Sequence, residues 1–255
     1  MCQFSRQLVL QLILGMAFGH TYGQQMFERI VDGSAVTQQR YPYYVRLHYY
    51  GEFSCGGSLV RNNAVLTAAH CVNGINMEEL RVHADTINLG DTGVVRTIKY
   101  AVIPKEYVMA KINYDYDVAV LILSSAIPSA SVIPLDKSAV TAGTSCLVIG
   151  HGYTKENGDL SEQLQEIHVP IMSREVCQHK YRGIRVITQS MMCAAERDNK
   201  HAPCKGDSGG PMICNGKQAG IVSWSVGCGR VEYPTVYTDV SKVYSFIEKA
   251  LKMYA

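Results

Sequence analysis

Cys204-Lys205-Gly206-Asp207-Ser208-Gly209-Gly210-Pro211 is the stretch on which the reading of this chain turns. Glycines flank one serine, and a backbone without Cβ atoms adopts turns that other residues avoid. A turn of this kind can aim the main-chain N–H groups of Gly206 and Ser208 the same way, as a developing oxyanion next to a reacting serine requires. Taken alone, Gly-Asp-Ser-Gly is also an ordinary turn, so its meaning depends on what the rest of the chain supplies.

A serine hydroxyl is a weak nucleophile and needs a base held in place by a third group. Leu66-Thr-Ala-Ala-His70-Cys71 sets a histidine among apolar neighbours that would fix its ring; by itself it reads equally as a core histidine. Tyr114-Asp115-Tyr116-Asp117-Val-Ala-Val-Leu121 leads an aspartate into an apolar strand, where a carboxylate is costly to bury unless it is paired. Asp115 reads as a solvated turn acid, and His48, His83, His151, His168, His179 and His201 as structural or exposed.

Outward from these segments, the chain after residue 30 is a series of short apolar or alternating runs broken by turn signals. Residues 43–47, 57–60, 118–123, 146–149 and 220–224 are strand candidates. One amphipathic helix stands out at the end, where Val240, Val243, Tyr244, Ile247 and Leu251 recur at helical spacing behind Asp239 or Ser241 as N-cap. No repeat or low-complexity tract occurs; residues 128–134 could connect two halves.

The 255 residues are 47% hydrophobic and 18% charged, enough to bury a sizeable core. With 24 basic against 22 acidic residues interspersed, the net charge of +2 lacks the electrostatic footprint of a nucleic-acid or anionic-membrane binder. Residues 1–23 have the plan of a secretory signal: Arg6, an apolar run over 8–18 too short to span a bilayer, then small and polar residues. Signal cleavage would remove Cys2 from the nine cysteines and leave an even set, which in a secreted chain points to disulfides. No CxxC pair and no HExxH occur, so a structural zinc site is not expected.

Taken together, His70, Asp117 and Ser208 in that chain order resemble the triad of the chymotrypsin-like (trypsin-fold) serine proteases. The resemblance extends through Arg29-Ile-Val-Asp-Gly33, Cys55-Gly-Gly-Ser-Leu59, Ser223-Trp224 and Tyr233-Pro-Thr-Val-Tyr237, in the family's order, and covers nearly all of residues 30–255. It implies an all-β fold of two packed antiparallel barrels, about 30–135 and about 136–240, with a C-terminal helix at about 241–252. It implies a secreted endopeptidase with Ser208 as nucleophile, His70 as general base and then acid, Asp117 orienting His70, and the Gly206 and Ser208 amides as oxyanion hole. The family's disulfide pattern gives Cys55 with Cys71, Cys146 with Cys214, Cys177 with Cys193 and Cys204 with Cys228.

By the same resemblance residues 24–29 are an activation propeptide, cut after Arg29 so that the new ammonium of Ile30 pairs with Asp207. The specificity pocket falls on Ala202 at the base, Pro203 beside it, and Ser225 and Thr235 on the walls. Trypsin-like members carry an aspartate at the base; Ala202 therefore implies small or medium apolar residues at the cleaved position rather than Arg or Lys. His151 stands where the family has tryptophan, and Asp32 where it more commonly has glycine. The expected partners are protein or peptide substrates, an upstream trypsin-like activator and protein protease inhibitors, with a monomeric enzyme, no cofactor and no metal, since residues 85–91 do not match the family's calcium loop. The alternative is a catalytically silent homologue that acts by binding or as a decoy.

Overall fold

The computed structural model describes residues 33–110, 113–128, 131–153, 158–196 and 202–254. The signal peptide, the propeptide, Arg29 and Ile30 therefore lie outside the described residues. In chain order the strands are β1 (Ser34–Ala35), β2 (Tyr44–Tyr49), β3 (Glu52–Arg61), β4 (Ala64–Thr67), β5 (Leu80–Ala84), β6 (Val94–Val102), β7 (Val108–Ala110), β8 (Asn113–Asp115) and β9 (Ala119–Leu123). They continue with β10 (Ser145–Gly150), β11 (Gln165–Pro170), β12 (Met191–Ala194), β13 (Pro211–Cys214), β14 (Lys217–Trp224) and β15 (Thr235–Asp239). The α-helices are α1 (Arg174–Lys180) and α2 (Val240–Met253).

Period-two burial makes these strands. In β5, Leu80, Val82 and Ala84 are buried while Arg81 and His83 face outward. β9 is buried along its whole length because it sits between β4 and β6, with its residues in one cluster with the apolar face of α2. β2, β3, β4, β9, β6 and β5 close into an antiparallel barrel. The second half is a seven-stranded antiparallel sheet in the order β1, β11, β10, β13, β14, β15, β12. Its far strand returns to its start: Ile171 bridges Ala194, and Met172 N–H donates to the Cys193 carbonyl at 2.8 Å. The architecture is the expected pair of packed β units with a C-terminal helix.

Each end of the described part of the chain is held by the opposite half. β1 pairs with β11 of the second sheet, whereas α2 buries Val240, Val243, Ile247, Ala250 and Leu251 in the core of the first barrel. Asp239 caps α2 by accepting from Ser241 N–H at 3.0 Å, and Arg61 donates to the Leu251 carbonyl near its C-terminus at 2.6 Å. Between the halves, Ser58 of β3 donates to the buried Gln218 side chain of β14 at 2.6 Å.

Two expectations change. A second helix, α1, exists; its seven residues span only two turns, too few for an apolar period, and its signal is the Ser173 hydroxyl accepting from Val176 N–H at 3.3 Å. Asp115 is not a solvated turn acid: its Oδ1 accepts from Thr188 Oγ1 at 2.6 Å, from Ser190 Oγ and from Tyr116 N–H at 3.1 Å. It staples the segment that carries Asp117 onto the second half of the molecule.

Arg46 of β2 is 1% exposed, and its guanidinium fills the loop between β5 and β6. It donates to the carbonyls of Asn88 (2.8 Å), Asp91 (2.5 Å) and Leu89. An arginine stays charged even when burial lowers its pKa, as it does here, so the chain's own cation organises these carbonyls. Arg46→Met leaves three acceptors without their donor at ~1 kcal/mol or more each, and should lower Tm by about 6–12 °C for a domain of this size. EDTA should leave the wild-type Tm unchanged; a fall with EDTA would mean that an external cation shares the loop.

Candidate active site

His70 lies on a single 3-10 turn, Ala69–Cys71, directly after β4. Ala69 and Cys71 are buried, and the Cys55–Cys71 disulfide pins the turn to β3, so the ring is aimed by its flanks. Asp117 precedes β9 after Tyr116, a residue with φ of 53°. The Asp117 carboxylate is fully buried and satisfied: Oδ1 accepts from the His70 backbone N–H at 2.9 Å, and Oδ2 lies 2.7 Å from His70 Nδ1 and accepts from Ser223 Oγ at 2.5 Å. Its carbonyl accepts from Thr238 Oγ1 at 2.8 Å. With Nδ1–H donated to the carboxylate, His70 keeps Nε2 as the basic nitrogen.

Ser208 and His70 line one cavity of about 270 Å³. Among the described residues no hydrogen bond joins Ser208 Oγ to the ring. The turn around the serine has a telling pattern of main-chain donors. Asp207 N–H donates to Cys204, Gly209 N–H to Val222 and Gly210 N–H to Asp207, at 3.1, 2.8 and 2.9 Å. The amides of Gly206 and Ser208 have no acceptor among the described residues. Gly206 has φ of +97°, and a Cβ there would press on Leu160 Cδ2 at 2.8 Å, so both backbone shape and space require glycine.

Asp207 points the other way, into the protein, and is 1% exposed. Its carboxylate accepts from Gly152 N–H at 2.7 Å and Cys204 N–H at 2.9 Å. A Cβ on Gly150 or Gly152 would run into it, so the segment around His151 is a cradle cut to this side chain. Burial nonetheless pushes its pKa up to about 6. His151 is buried with Nδ1 at 2.9 Å from the Ser161 carbonyl, and desolvation lowers its pKa to about 4, so it is neutral.

The remainder of the cavity is the candidate specificity pocket, bounded by Pro203, Cys204, Ser225, Gly227, Cys228 and Thr235. Ala202, expected at its base, is 2% exposed and does not line it; Pro203 does. Ser225 Oγ donates to the Gly227 carbonyl at 2.7 Å. Among the described lining residues there is no carboxylate. The Cys204–Cys228 disulfide joins the serine turn to the pocket wall, and Cys146–Cys214 and Cys177–Cys193 complete four bonds that use every cysteine after Cys2. Cys55, His70 and Cys71 are the cluster of metal-ligating residue types among the described residues, but both sulfurs are in a disulfide and offer no thiolate.

Sequence reasoning assigned no role to Ser223, Tyr114 and Lys205. Ser223 was visible only as half of the Ser223-Trp224 pair, and Tyr114 only as the start of the Asp117 segment. Tyr114 sets its ring edge-on to His70 at 5.7 Å, and Lys205 stands exposed at the cavity rim.

Comparison with known proteins agrees with this geometry. The Trypsin family profile matches residues 30–247. Trypsin II-P29 of Gallus gallus is 36% identical over 89% of this chain and 91% of its own length. Trypsin eta of Drosophila erecta is 37% identical over 92% and 94%, and the vitellin-degrading protease of Bombyx mori 32% identical over 95% and 93%. The match runs through both halves of the fold and the cleft between them, and the chain belongs to the Trypsin family and is a serine endopeptidase.

Proposed function

We propose that this chain is a secreted zymogen whose activated form cleaves peptide bonds through a Ser208 acyl-enzyme, after small or medium apolar residues. Ser208 Oγ attacks the scissile carbonyl and gives its proton to His70 Nε2, while Asp117 holds Nδ1–H and stabilises the imidazolium. The oxyanion takes the Gly206 and Ser208 amides, His70 returns the proton to the leaving amine, and water repeats the sequence to release the acid. The observation that carries this reading is the pair of amides at 206 and 208 with no acceptor among the described residues, in a turn where those of Asp207, Gly209 and Gly210 are engaged, beside a histidine aligned by a buried carboxylate. No helix among the described residues is long and apolar enough to cross a membrane, in keeping with an extracellular protein.

Activation follows from Asp207. Two backbone donors do not offset its desolvation, since its pKa remains well above that of a free carboxylate. The ammonium released by cutting between Arg29 and Ile30 supplies the missing charge and locks the turn that holds Gly206 and Ser208. The neutral pocket offers nothing to the side chain of Arg29, so a separate trypsin-like enzyme must make that cut. Protein inhibitors that fill the cleft of a monomeric enzyme fit the same geometry.

Ser208→Ala, activated by a trace of trypsin that is then inhibited, should fold and lose all turnover. Adding His70→Ala should cost little more, because the triad acts as a unit; additive losses would contradict the assignment. On a library of peptides, Ala, Val or Leu at the cleaved position should exceed Arg and Lys by tenfold or more, about 1.4 kcal/mol, and proenzyme alone should release no Ile30 terminus. A preference for Arg, or self-activation absent in Ser208→Ala, would sink the pocket reading. In the uncut chain the folded state holds the Asp207 proton more tightly than the unfolded state, whose value is 3.8. The stability that Asp207 itself contributes is therefore fully present below about 4 and is lost as pH rises to about 6. Asp207→Asn should remove that fall in Tm and stabilise the uncut chain at neutral pH; in the cut enzyme the ammonium reverses the sign, and wild type should melt higher than Asp207→Asn.

A further inference from the structure

Asp117 is aimed by the residue before it, and that residue is in an unfavourable conformation. Tyr116 has φ of 53°, in the left-handed region that glycine and asparagine enter readily and a bulky aromatic residue avoids. Its carbonyl accepts from Val118 N–H at 2.8 Å, which closes a three-residue turn with Asp117 at its centre. The direction of the Asp117 side chain therefore depends on the dihedrals of residue 116. A change there moves the carboxylate that meets the backbone N–H and Nδ1 of His70.

A backbone of this kind persists only where its surroundings over-determine it. Here Tyr116 is gripped from both halves of the molecule. Its ring is partly buried against the core of the first barrel, while its N–H donates to Asp115 Oδ1 and to Ser190 Oγ of the second half, both at 3.1 Å. Ser190 is 2% exposed and is fixed by its own carbonyl, which accepts from Asp239 N–H at 2.8 Å. Thr188 Oγ1, at 2.6 Å, and Ser190 Oγ both donate to Asp115 Oδ1. A hydroxyl has one hydrogen, so Ser190 is left to meet Tyr116 N–H as an acceptor. Asp115 thus does more than join the halves. Its oxygen sets the sense of the Ser190 hydroxyl, and the two together engage the amide that a left-handed Tyr116 presents.

We propose that Asp115 is a positioning residue for the reaction: with Ser190 it holds Tyr116 left-handed and so keeps the Asp117 carboxylate on His70. The proposal rests on the catalytic assignment of His70, Asp117 and Ser208 above and adds to it the part that aims Asp117. A purely structural staple would change how much enzyme is folded but not how fast each folded molecule turns over.

The test compares trypsin-activated wild type with Asp115→Ala, Asp115→Asn and Ser190→Ala on one apolar peptide, with each rate divided by the sites that a fluorophosphonate labels at completion. Asp115→Ala should lower kcat per site by about tenfold, within the ~100-fold that a misplacement of about 1 Å can cost, and leave KM within about twofold of wild type. Asp115→Asn keeps an oxygen at the same place and should retain most of kcat. Ser190→Ala leaves the carboxylate in place and should lose about threefold in kcat, which decides the question should Asp115→Ala not fold. Tyr116→Asn introduces a residue that tolerates positive φ, and should recover about threefold in kcat when added to Asp115→Ala. A kcat per site equal to wild type in both Asp115→Ala and Ser190→Ala, with only Tm lowered, overturns the proposal, as does a loss that appears in KM alone. Wild type that takes no label at Ser208 overturns instead the catalytic reading on which the proposal depends.

Discussion

A carboxylate removed from water has to be satisfied where it stands, and Asp117 is satisfied from both halves of the molecule. The first barrel supplies the backbone and ring N–H groups of His70; the second supplies the hydroxyl of Ser223 to the carboxylate and that of Thr238 to the Asp117 carbonyl. Neither half alone can bury this group. The relative placement of the halves is therefore dictated at the point where the chemistry occurs, and a shift between them would leave a buried charge short of donors.

Other contacts enforce the same placement from further out. Asp115 binds Thr188 and Ser190 two residues before Asp117, Ser58 reaches across to Gln218, β1 lies on the second sheet and α2 on the first barrel. The disulfides do a different task. Each links segments within one half, closing loops whose unfolded freedom they restrict. Cross-half placement comes from those contacts, while the Cys55–Cys71 and Cys204–Cys228 disulfides brace the flanks of His70 and Ser208, each within its own half.

Much of the site was legible in the sequence because its chemistry demands particular residue types in a fixed order. Histidine, aspartate and a glycine-flanked serine could be singled out, and the period-two runs placed the strands. What escaped notice was set by distant partners. Asp115 looks solvated until Thr188 and Ser190, 73 and 75 residues away, are folded onto it. Arg46 lies in the strand candidate 43–47, where no role was read for it, and it is buried because a loop 42 to 45 residues on wraps its carbonyls around the guanidinium. Ala202 was expected to floor the pocket, but Pro203 lines the cavity and Ala202, buried, does not. The helix α1 is too short to have a period, and Arg185 meets Trp224 and Tyr114 only through tertiary packing.

The two buried carboxylates near Ser208 are treated differently, and the proposed activation step draws on that difference. Asp117 accepts from a backbone amide, a ring nitrogen and a hydroxyl, so its surroundings are complete within the chain as it folds. Among the described residues Asp207 accepts from two backbone amides, and burial still drives its pKa up to about 6. A folded chain can tolerate that deficit because a neutral carboxyl or a strained carboxylate costs only a few kcal/mol of a larger total. The deficit is also what gives a late-arriving cation its leverage: an ammonium placed there gains most where the carboxylate has least. Since Asp207 adjoins both Gly206 and Ser208, the proposed activation would deliver that gain to the two amides that have no acceptor among the described residues, and the alignment of His70 by Asp117 would need no adjustment for it.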